Sequence, residues 1–170
     1  MNCVIYLVRH GIAEPAAPDV SDADRSLTPE GTRKLTRGAA GLKRLGVAPE
    51  IVLSSPLRRA QQTAAVLVSV LAPDTEVEIY APLAPGHEAA DVVQGLRAYR
   101  HAQSLMLVGH QPTLGEVASY LVTGSSDLAA LPFKKGAVAA VRTAAVPPRP
   151  TGVLEWFLTP KQLRAIGAGH

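Results

Sequence analysis

Two spacings of apolar residues alternate along the chain. Short apolar runs rich in β-branched residues predict strands, and longer stretches with apolar residues every three or four positions predict helices. The predicted strands are residues 3–8, 50–53, 77–80, 104–108, 137–142 and 153–158. Because strands alternate with helices, the pattern is typical of a single layered α/β domain over residues 1–170.

The helices are predicted at residues 29–45, 56–72 and 88–100, with a fourth beginning after Pro112. Thr28-Pro29 supplies an N-cap followed by proline at the first helical position. The apolar positions predicted to face the core are Leu35, Ala39 and Leu42, then Leu57, Ala60, Ala64, Leu67 and Leu71, then Val92, Leu96 and Tyr99, and finally Leu114, Val117, Ala118 and Leu121. Residues 12–26 are predicted to form a loop over one end of the sheet, and residues 146–152 a stiff connection.

Composition narrows the class of protein. With 170 residues and 47% apolar residues, the chain can bury a core, which excludes a disordered protein. Aromatic residues make up 4%, so a stacking platform for single-stranded nucleic acid is not expected. The net charge of +3 is small. Its basic cluster at residues 33–44 is interpreted as a solvated helix face rather than a nucleic-acid site.

The N-terminal segment has neither a basic signal-peptide region nor an apolar run long enough to span a membrane. We therefore expect a cytoplasmic protein without membrane contact. The one cysteine, Cys3, lies six residues before Arg9, a spacing found in cysteine-dependent phosphatases. The residues between them form a predicted buried strand without glycine, so their amides cannot wrap a phosphate. Cys3 is predicted to be a core residue.

Three predicted strands end in polar residues. The ends read Arg9-His10-Gly11, Ser54-Ser55 before Pro56, and Gly109-His110 before Pro112. In open α/β sheets, ligands bind beyond the carboxyl ends of the strands. If these strands are parallel neighbours, both histidines meet there with Arg9 and with Arg58 or Arg59. Such a pocket suits phosphate, because guanidinium groups pair with its oxygens.

No carboxylate cluster accompanies these positions in the sequence, so neither a metal ion nor another cofactor is expected. The cationic side chains would then neutralise the phosphate charge themselves. Ser54 and Ser55 are interpreted as N-caps before a helix that begins at Pro56, rather than as nucleophiles.

The same segments resemble the three signatures of the histidine phosphatase (phosphoglycerate mutase-like) superfamily. The matching segments are Arg-His-Gly at 9–11, Ser-Pro-Leu-Arg-Arg-Ala-Gln-Gln-Thr at 55–63, and Gly-His at 109–110. Residues 24–31 and 156–163 are similar to its small SixA-type phosphohistidine phosphatase branch, so the resemblance spans nearly the whole chain. It implies a three-layer α/β/α sandwich around a mostly parallel mixed sheet of about six strands.

The resemblance also implies residue roles. His10 would be the nucleophile, forming a phosphohistidine that water then hydrolyses. Arg9 and Arg59 would clamp the phosphoryl group, and His110 would donate a hydrogen bond to it. Arg59 is favoured over Arg58 because it is the arginine of the Arg-Ala-x-x-Thr pattern.

Further substrate-binding candidates are Gly11 in the Arg-His-Gly motif and Arg25 in the loop before the first helix. The alternative for Arg25 is a solvated loop charge. Glu88 or His87 could act as the general acid that mutase-like relatives place in this region. The alternative for Glu88 is a favourable acid in the first turn of a helix.

The other acid arrangement of the superfamily, an Asp directly after the second histidine, is absent because Gln111 stands there. Imidazole can leave already protonated, so a phosphohistidine needs an acid less than a phosphate ester does. The sequence therefore favours a phosphatase acting on protein phosphohistidine.

The first alternative is a broad small-molecule phosphomonoesterase with Glu88 or His87 as acid. The second is a non-catalytic, phosphate-binding regulatory module. A nucleic-acid binder is the least favoured function, and the chain is too short for the segments expected of a mutase. The expected partner is a phosphorylated protein or a small phosphorylated molecule, and the sequence leaves the oligomeric state open.

Overall fold

Six strands form one mixed sheet in the residues that the computed structural model describes, 2–148 and 152–169. They are β1 (Cys3–Arg9), β2 (Ile51–Ser54), β3 (Val77–Ile79), β4 (Ser104–Gly109), β5 (Val138–Thr143) and β6 (Val153–Leu158). Their order across the sheet is β3-β2-β4-β1-β5-β6. The strands β3, β2, β4 and β1 are parallel neighbours, whereas β5 pairs antiparallel with β1 and β6 antiparallel with β5.

Five α-helices flank the sheet within the same described residues. They are α1 (Pro29–Arg44), α2 (Arg58–Leu71), α3 (Ala89–Gly95), α4 (Thr113–Thr123) and α5 (Pro160–Ala168). Short 3₁₀ helices cover Asp22–Asp24, Ala81–Leu83 and Leu96–Tyr99. Helices α1, α2 and α5 pack on one face of the sheet, and α3 and α4 on the other. The three-layer α/β/α fold with a mostly parallel sheet is therefore confirmed.

The central strand β4 contributes side chains to the hydrophobic core on each face of the sheet. Leu105 and Leu107 face α3 and α4, whereas Met106 and Val108 face α1, α2 and α5, and all four are fully buried. A strand that is apolar on both faces is expected where helices cover both sides of a sheet. Because β4 lies between β2 and β1 and is parallel to both, the carboxyl ends of these three strands are neighbours.

The predicted strands are confirmed to within one residue at each end. The second helix begins at Arg58 rather than at Pro56, and the third ends as an α-helix at Gly95 and continues as a 3₁₀ helix. The predicted core positions are buried, apart from Tyr99, which is half-buried. Residues 149–151 of the predicted stiff connection lie outside the described residues.

Helix α5 was not predicted. The Thr159 side chain accepts the Gln162 N–H at 3.3 Å, and the Gln162 side chain accepts the Thr159 N–H at 2.9 Å. This reciprocal capping, with proline at the first helical position, is a helix-start signal that the sequence carries. None of the helices that the described residues form has the length and apolar composition needed to cross a membrane.

Helices α1 and α5 pack closely against each other at Gly41. A Cβ atom on Gly41 would lie 2.0 Å from the carbonyl oxygen of Leu163. Only a residue without a side chain permits this approach between a helix and a neighbouring backbone. The tight contact holds α5 against α1, and Leu163 of α5 packs into the core on this face of the sheet.

Candidate active site

The two predicted site histidines come together at the carboxyl ends of β1 and β4. Arg9 is paired with Gly109 in the parallel register, and the His10 N–H donates to the Gly109 carbonyl oxygen at 3.0 Å. The imidazole rings of His10 and His110 have centroids 5.0 Å apart. The parallel pairing of these strands therefore places both rings in one site.

The His10 ring is held in one tautomer. It is 6% exposed, and its Nδ1 lies 2.7 Å from the carbonyl oxygen of Gly11. A carbonyl oxygen can only accept, so Nδ1 carries the hydrogen and Nε2 has a free lone pair. Burial, together with the charges of Arg59, Arg9 and Lys135, lowers the pKa of His10 to about 4, against the opposing effect of the Gly11 bond. Neutral imidazole with a free Nε2 is the form that can attack phosphorus.

The His110 ring is oriented by Ser55. Its Nε2 lies 2.7 Å from the Ser55 hydroxyl oxygen, which also accepts the Leu57 N–H at 3.3 Å. If the hydroxyl donates to Nε2, both groups are satisfied and the ring hydrogen is on Nδ1. This Nδ1 is buried and has no partner among the described residues. Burial lowers the pKa of His110 to about 3, with His10 and Arg59 as further causes.

Arg59 is fixed by a residue that sequence reasoning missed, Asp22. The Arg59 guanidinium is 6% exposed and donates from Nη1 to the Asp22 carbonyl oxygen at 2.6 Å and from Nη2 to the Asp22 carboxylate at 3.0 Å. This hydrogen bond holds the pKa of the Asp22 carboxyl below its usual value. Asp22 lies in a 3₁₀ helix within the loop predicted over the sheet end, where no periodicity singles it out.

The other predicted clamp, Arg9, is held by the segment before β5. Its Nη1 donates to the Phe133 carbonyl oxygen at 2.6 Å. The Gly136 N–H in turn lies 3.1 Å from the carbonyl oxygens of both Arg9 and His10. Residues 133–136 therefore line the site, although the sequence pattern gave no signal for them.

Three buried side-chain nitrogens of the site have no partner among the described residues: Arg9 Nε, Arg59 Nε and His110 Nδ1, the last a donor in the tautomer that lets Ser55 donate to Nε2. Buried donors are nearly always hydrogen-bonded in folded proteins, so each such group calls for an explanation. They belong to His110, whose ring lies next to that of His10, and to Arg9 and Arg59, whose charges lower the pKa of His10. A phosphoryl group has three non-bridging oxygens and would satisfy one donor with each.

Gly11 supports the site by its backbone. Its N–H donates to the Thr63 hydroxyl oxygen at 3.0 Å, and the Thr63 hydroxyl donates to the Arg59 carbonyl oxygen at 2.7 Å. A Cβ atom on Gly11 would lie 2.5 Å from Leu35 Cδ1. The Gly11 N–H is thus already bonded, and its carbonyl orients His10.

Among the described residues, neither Arg25 nor Arg58 forms a hydrogen bond with the paired histidines. Arg25 donates to the Asp22 carboxylate at 2.9 Å and to the Glu14 carbonyl oxygen at 2.9 Å, so it stabilises the loop that holds Arg59. Arg58 is exposed on α2. Arg59, and not Arg58, is buried and lies close enough to lower the pKa of both His10 and His110.

The two candidate acids, His87 and Glu88, are exposed before α3. The Glu88 N–H donates to the Asp91 carboxylate at 3.2 Å, and His87 Nδ1 lies 4.0 Å from that carboxylate. Among the described residues, neither forms a hydrogen bond or ion pair with Arg9, Arg59 or the paired histidines. Their role as acid stays a prediction.

The expectation that Ser54 or Ser55 caps α2 was wrong. Leu57 occupies the N-cap position and provides no side-chain bond. The Ser54 hydroxyl donates to the Ser55 carbonyl oxygen at 2.9 Å, and the Ser55 hydroxyl contacts His110. The Ser55 hydroxyl oxygen does accept the Leu57 N–H at 3.3 Å, but Leu57 precedes the first residue of α2, so no N–H group of the helix itself is capped.

Cys3 lies at the amino end of β1, the end opposite the paired histidines. It is 1% exposed and packs in the core, as predicted. Burial, with the charge of Glu50 adding, raises the pKa of its thiol to about 11. A buried thiol of this kind is inert as a nucleophile.

Comparison with known proteins agrees with this geometry. The sequence model of the histidine phosphatase superfamily (branch 1) matches residues 5–84. An uncharacterized protein of Picosynechococcus sp. is 37% identical over 144 residues, which cover 83% of this chain and 86% of the relative. The phosphohistidine phosphatase SixA of Escherichia coli (strain K12) is 28% identical over 166 residues, which cover 96% of this chain and 98% of SixA.

Solved structures share the fold. The protein histidine phosphatase SixA complexed with tungstate gives a TM-score of 0.82 at 28% identity, covering 94% of this chain and 99% of that chain. The α-ribazole phosphatase from Shigella flexneri gives a TM-score of 0.71 at 18% identity, covering 92% of this chain and 96% of that chain. The second similarity is one of fold alone.

Proposed function

This chain belongs to the histidine phosphatase superfamily, which implies a phosphatase, and we propose that it hydrolyses protein phosphohistidine through a phosphoryl intermediate on His10. The observation that carries the proposal is the set of three unpartnered buried nitrogens on Arg9, Arg59 and His110, together with the free Nε2 of the neighbouring His10. Donors fixed in place before the substrate arrives stabilise the charge that develops on the transferred group. The two guanidinium groups supply the positive charge, so the proposed reaction uses no metal ion.

In the first step, the His10 Nε2 lone pair forms a bond to phosphorus. The bond between phosphorus and the substrate imidazole breaks, and its electron pair goes to the departing nitrogen. The other nitrogen of that imidazole is already protonated, so the ring leaves neutral. His10 keeps its Nδ1 hydrogen, which the Gly11 carbonyl stabilises on the positively charged phosphorylated ring.

In the second step, a water oxygen attacks phosphorus and the bond to His10 breaks. The electron pair returns to Nε2, one water proton passes to solvent, and phosphate is released. The His10 side chain is thereby regenerated as the neutral tautomer in which it began the reaction. Neither step needs a side-chain acid, which agrees with Gln111 following His110 and with exposed positions for Glu88 and His87. Similarity to SixA also supports a phosphohistidine substrate.

The mechanism can be tested by brief exposure to radiolabelled phosphoramidate followed by quenching. We expect an acid-labile, alkali-stable adduct that is present in the wild type and in Cys3→Ser and lost in His10→Ala. The adduct should form equally with a chelator present. Labelling of His10→Ala at the wild-type level would contradict the proposal, and failure of the wild type to form any adduct would favour a non-catalytic phosphate-binding module.

A second candidate is a small-molecule phosphomonoesterase, because enzymes such as the α-ribazole phosphatase share this fold. It would use Glu88 or His87 to protonate an alkoxide leaving group. Efficient hydrolysis of p-nitrophenyl phosphate that falls in Glu88→Gln would favour this candidate. Hydrolysis of phosphoramidate and phosphohistidine, unaffected by that variant, supports the protein substrate.

A further inference from the structure

A largely apolar cavity of about 150 Å³ opens beside the paired histidines, between the first and last helices. Its apolar wall is formed by Leu35, Ala39, Leu42, Leu67, Val138 and Leu163. Gly11 and Ile12, directly after the proposed nucleophile, also line it. The cavity therefore lies at the same sheet edge as the proposed active site, on the face covered by α1, α2 and α5.

Gly38 of α1 lines this cavity, although packing against α5 does not require a glycine at that position. A Cβ atom on Gly41 would collide with the Leu163 carbonyl oxygen, whereas a Cβ on Gly38 would meet only Leu163 Cβ, at 3.8 Å. Glycine inside a helix is less stable than alanine. Gly38 thus leaves open an apolar space that a larger side chain could fill.

The mouth of this cavity is positively charged. The charged residues that line it are Lys34, Lys135 and Arg164, and no carboxylate lines it among the described residues. Lys34 pairs with Glu30 at 2.7 Å. Within the described part of the chain, Lys135 and Arg164 form no ion pair, so two cations stay available to an acidic ligand.

The cavity is joined to the active site through residues 135–136. The Gly136 N–H bonds to the backbone carbonyls of Arg9 and His10, and Lys135 and Gly136 both line the cavity. A ligand held in the cavity would therefore contact a residue, Gly136, that is hydrogen-bonded to Arg9 and His10 of the proposed active site. This proximity suits a group on the same molecule as the substrate histidine.

We propose that this cavity binds an apolar side chain, flanked by acidic residues, on the protein whose phosphohistidine enters the active site. The inference rests on the proposed function. A cavity of about 150 Å³ lined by apolar side chains accommodates one benzene ring, which is the size of a Phe side chain. The unpaired cations at its mouth match acidic neighbours, and such pairs raise specificity and the association rate.

The test uses synthetic phosphohistidine peptides in which a flexible linker joins the phosphohistidine to Glu-Glu-Phe-Glu-Glu. Matched peptides replace Phe by Ala, or every Glu by Lys. We expect the wild type to show a kcat/KM for the Phe peptide at least about tenfold above that for either matched peptide. Equal kcat/KM for the three peptides would overturn the proposal.

Two variants locate the effect. Gly38→Leu fills the cavity and should abolish the preference for Phe, whereas Gly38→Ala leaves most of the space and should retain it. Arg164→Glu, on the rim, should reverse the preference for Glu over Lys. Thermal melting confirms that each variant is folded. Retention of both preferences in Gly38→Leu and Arg164→Glu would place the docking elsewhere and refute the inference.

Two controls separate this inference from the proposed function. Phosphoramidate hydrolysis should be unchanged in all three variants, because the small substrate does not reach the cavity. Binding of the unphosphorylated Phe peptide, followed by fluorescence anisotropy on His10→Ala, tests the cavity without turnover. Peptide binding with no phosphoramidate hydrolysis by the wild type would refute only the proposed function. Displacement of the peptide by equimolar phenylacetate would overturn a protein segment as the occupant.

Discussion

The buried histidine pair should remain neutral when the solution is made acidic. Burial lowers the pKa of His10 to about 4, whereas an ordinary histidine titrates near 6.5. At pH 5.5 about 3% of His10 would therefore be protonated, compared with about 90% of an unperturbed histidine. The same reasoning applies more strongly to His110, whose pKa burial lowers to about 3.

Nitrogen-15 spectra of the histidine rings, recorded between pH 4.5 and 8, measure this directly without any substrate. His10→Ala and His110→Ala assign the two signals, and the chain unfolded in urea supplies the reference titration. We expect His10 to show a protonated Nδ1 and a bare Nε2 from pH 8 down to about pH 5.5, and to gain its second proton only as the pH approaches 4. Titration of the His10 signal near pH 6.5 in the folded protein would refute the reasoning.

The same pKa shifts predict how stability depends on pH. The unfolded chain binds protons at both histidines as the pH falls through about 6.5, whereas the folded chain binds them only near pH 4 and 3. Unfolding therefore takes up protons in this window. The free energy of unfolding should fall as pH drops from 6.5 to 4, by up to about 1.4 kcal/mol per pH unit for each histidine. Urea denaturation should lose this slope in the doubly substituted His10→Ala, His110→Ala protein, and persistence of the slope would contradict the assignment.

Three contacts can each be tested by one substitution. Ser55→Ala removes the bond that orients His110, so kcat/KM for phosphoramidate should fall by about tenfold or more, and an unchanged kcat/KM in a folded variant would contradict that role. Thr63→Val leaves the buried Gly11 N–H unpaired, so the free energy of unfolding, measured in urea, should fall by about 1–3 kcal/mol, and equal stability would show that the bond is replaced. Gly41→Ala should lower the free energy of unfolding by about 1–3 kcal/mol, because overpacking against α5 outweighs the better helix propensity of alanine. A variant more stable than the wild type would mean that α5 moves away from α1 without cost.

The sequence predicted the features that depend on periodicity. Buried strands such as β4 and amphipathic helices such as α1 bury apolar residues at regular intervals, so their positions were predicted to within one or two residues. The start of α2 was misplaced because Pro56 is compatible with several turn conformations. Helix α5 was missed because it is short and buries mainly Leu163.

The residues of the candidate site likewise fall into those that the sequence predicted and those that it did not. His10, His110, Arg9 and Arg59 follow strand ends or a recognisable motif, so the sequence alone brought them together. Their supporting partners did not stand out, because Asp22 acts partly through its backbone carbonyl and Phe133 entirely so. A carbonyl is available at every residue, so only the folded chain shows which one is used.

The pairing of Asp22 with Arg59 has a consequence for the release of phosphate. The Asp22 side chain is 62% exposed, so its negative charge stays at the mouth of the site while it aligns the guanidinium. Its charge offsets that of one of the two arginines, and the net attraction for a free dianion is correspondingly weaker. Because an enzyme gains nothing from holding its product tightly, this compromise between orientation and charge favours repeated turnover over product inhibition.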